Sequence, residues 1–153
     1  MTDHILKMKK LKQNAVTPTR ASEGAAGFDL YACLDAPITI EPRGLYKIPT
    51  GIALALPDKN TVGLIFARSG LGVNHGVSLP NAVGVIDSDY RGEILVGMTN
   101  CSDRPYTLQP GERCAQLVVT PVLLPVLEET DDLGETARGA GAFGSTGKKG
   151  LQK

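Results

Sequence analysis

In "GVIDSDYRGEILVGM", residues 84–98, a charged centre is flanked by apolar residues that recur at every second position. Val83 and Val85 come before it, and Ile94, Val96 and Met98 after it. A period of two is the spacing at which a strand sends alternate side chains to one face. Asp87, Asp89, Tyr90, Arg91 and Glu93 lie between the two runs, so the pattern predicts a hairpin with its polar residues at the tip. Short apolar runs of the same kind recur elsewhere: "APITI" at 36–40, "LYKIPTGIALAL" at 45–56, "TVGLIFA" at 61–67 and "RCAQLVVTPVLLPVL" at 113–127. Turn residues separate them, in "EPRG" at 41–44, "LPDKN" at 56–60 and "LQPGER" at 108–113. Eighteen glycines and ten prolines break nearly every helical pattern before it reaches ten residues. The expectation is an all-β fold, a jelly-roll-like β-sandwich or barrel with little helix.

A chain of 153 residues is one domain long. Sixteen basic residues balance sixteen acidic ones, so no overall field draws in nucleic acid or an anionic membrane, and any anion site must be local. Cys33, Cys101 and Cys114 are isolated and odd in number, which argues against a disulfide framework or a zinc ribbon and suits a reducing compartment. No apolar stretch has the length of a signal peptide core or a membrane helix, and the reading is a soluble, cytoplasmic protein. Lys7, Lys9, Lys10 and Lys12 alternate with Leu6 and Met8, the pattern of an exposed edge strand rather than a nucleic-acid patch. From Thr130 onward the chain turns glycine-rich, with six glycines between Gly134 and Gly150 and little to bury. The division expected is a β domain over 1–130 and a flexible glycine-rich C-terminal arm over 131–153.

Three segments have residues suited to chemistry. Asp87 ends a strand-like run, where a rigid element could aim a carboxylate, ordinarily ionised at neutral pH, at a water; Asp89 sits nearer the middle of the turn. The same residues would also make a solvated loop, and both readings stay open. In "ARSGLG", residues 67–72, the Arg68 guanidinium, the Ser69 hydroxyl and the open backbone at Gly70 and Gly72 suit phosphate oxygens, though an ordinary turn uses the same residues. Ala67 excludes a serine-hydrolase elbow. "RGAGAFGSTGKKG", 138–150, is not a Walker A loop, since Ala142 and Lys149 stand where glycine and Ser or Thr would be needed. Phe143 is an aromatic with no local core to join, so it either anchors the tail or stacks on a ligand ring. His4 and His75 lie far apart and support no zinc site, whereas Mg²⁺ carried on substrate phosphates remains possible.

Taken together, five ordered segments resemble the motifs of the trimeric dUTP pyrophosphatase, or dUTPase, family. They are "AAGFDLYA" at 25–32, "ARSGLG" at 67–72, "NAVGVIDSDYRGEI" at 81–94, "GERCAQLVV" at 111–119 and "RGAGAFGSTG" at 138–147. The resemblance implies a jelly-roll-like homotrimer with shared active sites that hydrolyses dUTP to dUMP and pyrophosphate with Mg²⁺. By it, Asp87 orients the water that attacks the α-phosphorus, and Tyr90 packs under the deoxyribose. Asn81 and the backbone of an 81–90 hairpin, including Gly84, Val85 and Ile86, read uracil. Arg68, Ser69, Gly70 and Gln116 bind phosphates, and Asp29 supports the site beside the metal's water shell. Arg138, Phe143, Gly144, Ser145 and Thr146 form the arm that closes on the nucleotide. Ala142 departs from the family's usual pair of glycines, and its Cβ would add strain at a positive φ. A dCTP deaminase relative shares the fold, but the Asp87 and Tyr90 pairing fits the hydrolase branch. A catalytically silent nucleotide-binding module is the reading from another class.

Overall fold

The run that follows the charged cluster forms as its spacing predicts: over Glu93–Asn100, Ile94, Val96 and Met98 are buried and Leu95 faces outward. The structure, a computed structural model, describes residues 4–142. In chain order the strands are β1 (Lys7–Lys10), β2 (Phe28–Tyr31), β3 (Ile38–Ile40), β4 (Leu45–Ala55), β5 (Thr61–Phe66), β6 (Val77–Ser78), β7 (Val83–Ile86), β8 (Glu93–Asn100), β9 (Tyr106–Leu108) and β10 (Arg113–Pro121). One short helix, α1 (Ser69–His75), lies between β5 and β6. Every pairing is antiparallel, in one sheet ordered β1-β4-β8-β6, a second ordered β2-β10-β5-β7 and a ribbon of β3 and β9. Leu30, Ile65 and Leu117 from the second sheet and Ile48, Ile94 and Val96 from the first join one core, each at most 2% exposed. Burying each adds roughly 1.5–3 kcal/mol. The fold is the expected all-β, jelly-roll-like sandwich.

The expected hairpin does not form. β7 pairs with β5 and β8 with β4 and β6, so residues 87–92 carry the chain from one sheet to the other. The phase of β7 also differs: Val85 is 62% exposed, while Ile86 packs against the core. Alternation shows that one face of a strand is buried but not which strand lies beside it, and a shift of one residue exchanges the faces.

Two other boundaries move. Residues 69–72, read as a turn, open α1, which is held by buried Leu71 and closed by Gly76 at φ 69, whose N–H reaches the Gly72 and Leu71 carbonyls. A glycine just past a helix end is the signal that could have found it. The apolar run expected to reach 127 stops as a strand at Pro121, because Pro121 and Pro125 bring no N–H to a ladder.

Elsewhere the reading holds. β1 is an edge strand with Lys7, Lys9 and Lys10 exposed. Gly44 N–H closes the 41–44 turn on the Glu41 carbonyl at 2.9 Å, and Glu112 N–H closes the 109–112 turn on Gln109 at 3.1 Å. Cys33 and Cys114 are buried, Cys101 is exposed, and all three are free thiols. No described helix is long and apolar enough to cross a membrane.

Candidate active site

Gln116 lies at the centre of the second sheet, opposite Asp29 on β2 and Phe66 on β5. This register brings Asp29, Gln116 and Arg68 together, Arg68 lying just past the end of β5. Arg68 Nε donates to Asp29 Oδ1 at 3.2 Å, and Arg113 Nη1 donates to Asp29 Oδ2 at 3.2 Å. The Asp29 side chain is only 12% exposed, so the two cations hold it in place. Gln116 Nε2 is tied to the Ala67 carbonyl at 3.1 Å. Two guanidiniums thus share one carboxylate. Ser69 and Gly70 are exposed beside it, and a Cβ on Gly70 would meet no atom within 4 Å, so a ligand could reach that backbone. Behind Arg68, burial and then the bond to Glu112 push the Tyr106 hydroxyl above its usual range, so it stays protonated and donates to Glu112.

Asp87 and Tyr90 form a second cluster, beyond the end of β7. Tyr90 N–H closes a turn on the Asp87 carbonyl at 3.1 Å, and the exposed Arg91 braces it, its Nη1 donating to both the Ser88 and Tyr90 carbonyls at 2.8 Å. The Tyr90 hydroxyl donates to the Glu93 carbonyl at 2.9 Å, and a Cβ on Gly92 would overlap that hydroxyl. Asp87 is exposed on a cleft of about 580 Å³ lined also by Lys59, Val62, Val85 and Asp89. At the other end of β7, Val83 N–H bonds the Asn81 carbonyl at 2.7 Å around Ala82, whose φ is 61. This is a γ-turn of the rarer, strained hand, a conformation that persists only where the surroundings enforce it. Arg43 and Ala82 are the non-glycine residues at positive φ among those described.

The two clusters do not meet within one chain. The β5–β7 ladder runs from Phe66–Val83 to Gly63–Ile86, a span of about 10 Å at ~3.3 Å per residue, and Arg68 and Asp87 lie beyond its opposite ends. Asn81 is exposed at the Arg68 end, whereas Gly84, Val85 and Ile86 lie along β7. Arg138 is exposed and bonds the Gly141 carbonyl of its own turn at 3.1 Å. Phe143, Gly144, Ser145 and Thr146 lie outside the described residues. Among the described residues, no three His, Cys, Asp or Glu side chains gather where they could hold a metal.

The residue reading did not single out Arg113. Arg113 stands in "GERCAQLVV", but its partnership with Asp29 depends on strand pairing across 84 positions of sequence. The dUTPase family model matches residues 13–147, a span that includes both clusters. The chain belongs to the dUTPase family. Among its relatives, the deoxyuridine 5′-triphosphate nucleotidohydrolase of Ralstonia pickettii is 50% identical over 131 residues, covering 86% of this chain and 88% of the relative. That of Desulfitobacterium hafniense is 52% identical over 130 residues, covering 85% and 86%. A mutant dUTPase of Staphylococcus bacteriophage 80alpha, solved with dUpNHpp, matches with a TM-score of 0.82 at 26% identity, over 94% of this chain and 99% of its own. Membership of the dUTPase family thus rests on the sheets and on a stretch that continues past the last described residue.

Proposed function

We propose that this dUTPase family member hydrolyses dUTP to dUMP and pyrophosphate, as a homotrimer whose active sites are shared between subunits. The observation that carries the reading is that the cluster of Asp29, Arg68 and Gln116 and the cluster of Asp87 and Tyr90 lie beyond opposite ends of one ladder. A base must lie within hydrogen-bond reach of its water, and the water within about 3–3.5 Å of the phosphorus it attacks. Arg68, pinned to Asp29, cannot then serve the triphosphate attacked by the water that Asp87 of the same chain activates, but a neighbour's Arg68 can. The stretch after β10 supports assembly: Leu123, Val126 and Leu127 are 89%, 94% and 96% exposed, an apolar segment that a second copy would cover.

In this reading Asp87 takes a proton from the water as its oxygen bonds the α-phosphorus. The bond from the α-phosphorus to the bridging oxygen then breaks, and pyrophosphate leaves. Arg68, Ser69, Gly70 and Gln116 hold the phosphates, and Arg113 shares the charge through Asp29. β7 is an edge strand, so alternate residues along it turn their backbone N–H and C=O groups away from β5, able to match the donors and acceptors of uracil and mismatch those of cytosine. Asn81 reads the same base, and the Tyr90 ring packs against the deoxyribose where a 2′-hydroxyl would have to fit. With no metal cage among the described residues, Mg²⁺ fits as an ion held on the triphosphate, Asp29 reaching it through water. Bound there, it would offset phosphate charge. Residues 131–153 act as an arm on the 1–130 domain, Arg138, Gly144, Ser145 and Thr146 meeting phosphates and Phe143 stacking on the base. Three free cysteines suit a cytoplasmic setting.

The test is to incubate the pure protein with dUTP, dCTP, dTTP and UTP in turn, with and without Mg²⁺, measuring pyrophosphate and ammonia. Pyrophosphate from dUTP alone supports the reading. Ammonia from dCTP, or tight dUTP binding with no pyrophosphate, overturns it.

A further inference from the structure

Tyr90 is 42% exposed, and an aromatic side chain so placed on a crossing loop would ordinarily turn about χ1. Here its ring is tethered at the far end, since its hydroxyl donates to the Glu93 carbonyl at 2.9 Å, and it lies against Gly92, where any Cβ would overlap that hydroxyl. The tether is only as firm as the carbonyl that receives it. Glu93 is the first residue of β8, at the point where its ladder with β4 becomes irregular: Pro49 pairs with Leu95, then Ala53 with Glu93, leaving Thr50, Gly51 and Ile52 out of register.

That irregularity is where Glu93 is fastened. Gly51, at φ 68, turns its N–H out of the ladder, and Glu93 Oε1 accepts it at 2.8 Å. Thr50 Oγ1 donates to the Ile94 carbonyl at 2.7 Å, fixing the next residue as well. Gly51 is itself held, its carbonyl accepting the Leu11 N–H at 2.7 Å, and closely packed, since a Cβ there would come within 2.7 Å of Cys33 Sγ and 2.8 Å of Ala15 Cβ. A rigid bulge in β4 therefore sets the Glu93 backbone, and the Glu93 backbone sets the Tyr90 ring.

We propose that Glu93 is a positioning residue for sugar discrimination, its carboxylate locking the β8 start so that its carbonyl holds the Tyr90 ring against the deoxyribose. The proposal rests on the reading of Tyr90 given above and names a determinant beyond it. What the bond requires is an acceptor of glutamate's reach, not its charge. Glutamine keeps the acceptor, aspartate is one methylene too short, and alanine has none.

The experiment measures kcat and KM for dUTP and UTP with the wild-type protein and with Glu93→Gln, Glu93→Asp, Glu93→Ala and Tyr90→Ala. Glu93→Ala and Glu93→Asp are expected to lower the ratio of kcat/KM for dUTP over UTP by roughly five- to tenfold, the scale of one lost hydrogen bond. Glu93→Gln should restore it. Glu93→Asp serves if Glu93→Ala does not fold. A ratio that falls in Tyr90→Ala but stays at the wild-type value in Glu93→Asp overturns the proposal and leaves the Tyr90 reading standing. A ratio unchanged in Tyr90→Ala overturns that reading, and the proposal with it. A ratio that falls equally in Glu93→Gln and Glu93→Asp also overturns it, since charge and not reach would then be at work.

Discussion

In the proposed reaction Asp87 and Arg68 divide the chemistry, one exposed at a turn and the other fixed against a carboxylate. The sequence suggested both, because an acid at a strand end and an arginine beside serine and glycine are residue types with few substitutes for these tasks. It could not show that Asp29 answers Arg68 and Arg113 together, since those partners stand 39 and 84 positions away. If Asp87 is the base, Asp87→Asn retains dUTP binding while turnover drops by about 10²–10⁴-fold. Calorimetric binding alongside a pyrophosphate assay separates the two effects, and near-normal turnover would remove Asp87 from the role. Burial pushes the Cys114 thiol up to about 12, and Cys33 is also buried, whereas Cys101 is exposed. At pH 8, an aromatic disulfide reagent is expected to titrate one thiol rapidly in the native protein and three after unfolding. Rapid modification of Cys114, located by peptide mapping, would contradict the packing described.

Among the elements, β8 was legible and β7 was legible only in part. Both alternate, but β8 is central, with its inward residues wholly covered, whereas β7 is an edge strand of four residues whose phase depends on where Gly63 and Gly84 admit Ile86 and Ile65. β4 shows the opposite case: six consecutive residues, Thr50–Ala55, show no clean alternation because an irregularity at Gly51 interrupts the period. That glycine is required by its surroundings. Gly51→Ala is expected to destabilise by about 2–4 kcal/mol, combining strain at positive φ with overpacking against Cys33 and Ala15. Gly24→Ala, with no atom within 4 Å of the added Cβ, should be near neutral. Urea unfolding at one fixed protein concentration compares them, and equal midpoints would refute the account of the bulge.

For the whole molecule, the placing of the two clusters makes the sharpest prediction. An Asp87→Asn protein and an Arg68→Ala protein should each be nearly inactive, yet co-refolded mixtures should regain activity, because some sites then draw a sound Asp87 and a sound Arg68 from different chains. Mixtures no more active than the separate variants would mean that each site belongs to one chain. Local chemistry in the sequence settled the all-β class, most of the turns and the lysine-bearing edge strand, and it pointed to Asp87, Arg68 and their neighbours, because each follows from near neighbours along the chain. Folding settled which strands pair, that residues 87–92 cross between sheets instead of closing a hairpin, that Asp29 holds two arginines, and that Arg68 and Asp87 stand beyond opposite ends of one ladder. These depend on register between distant segments, and an alternating pattern fixes which face of a strand is buried without fixing its neighbour.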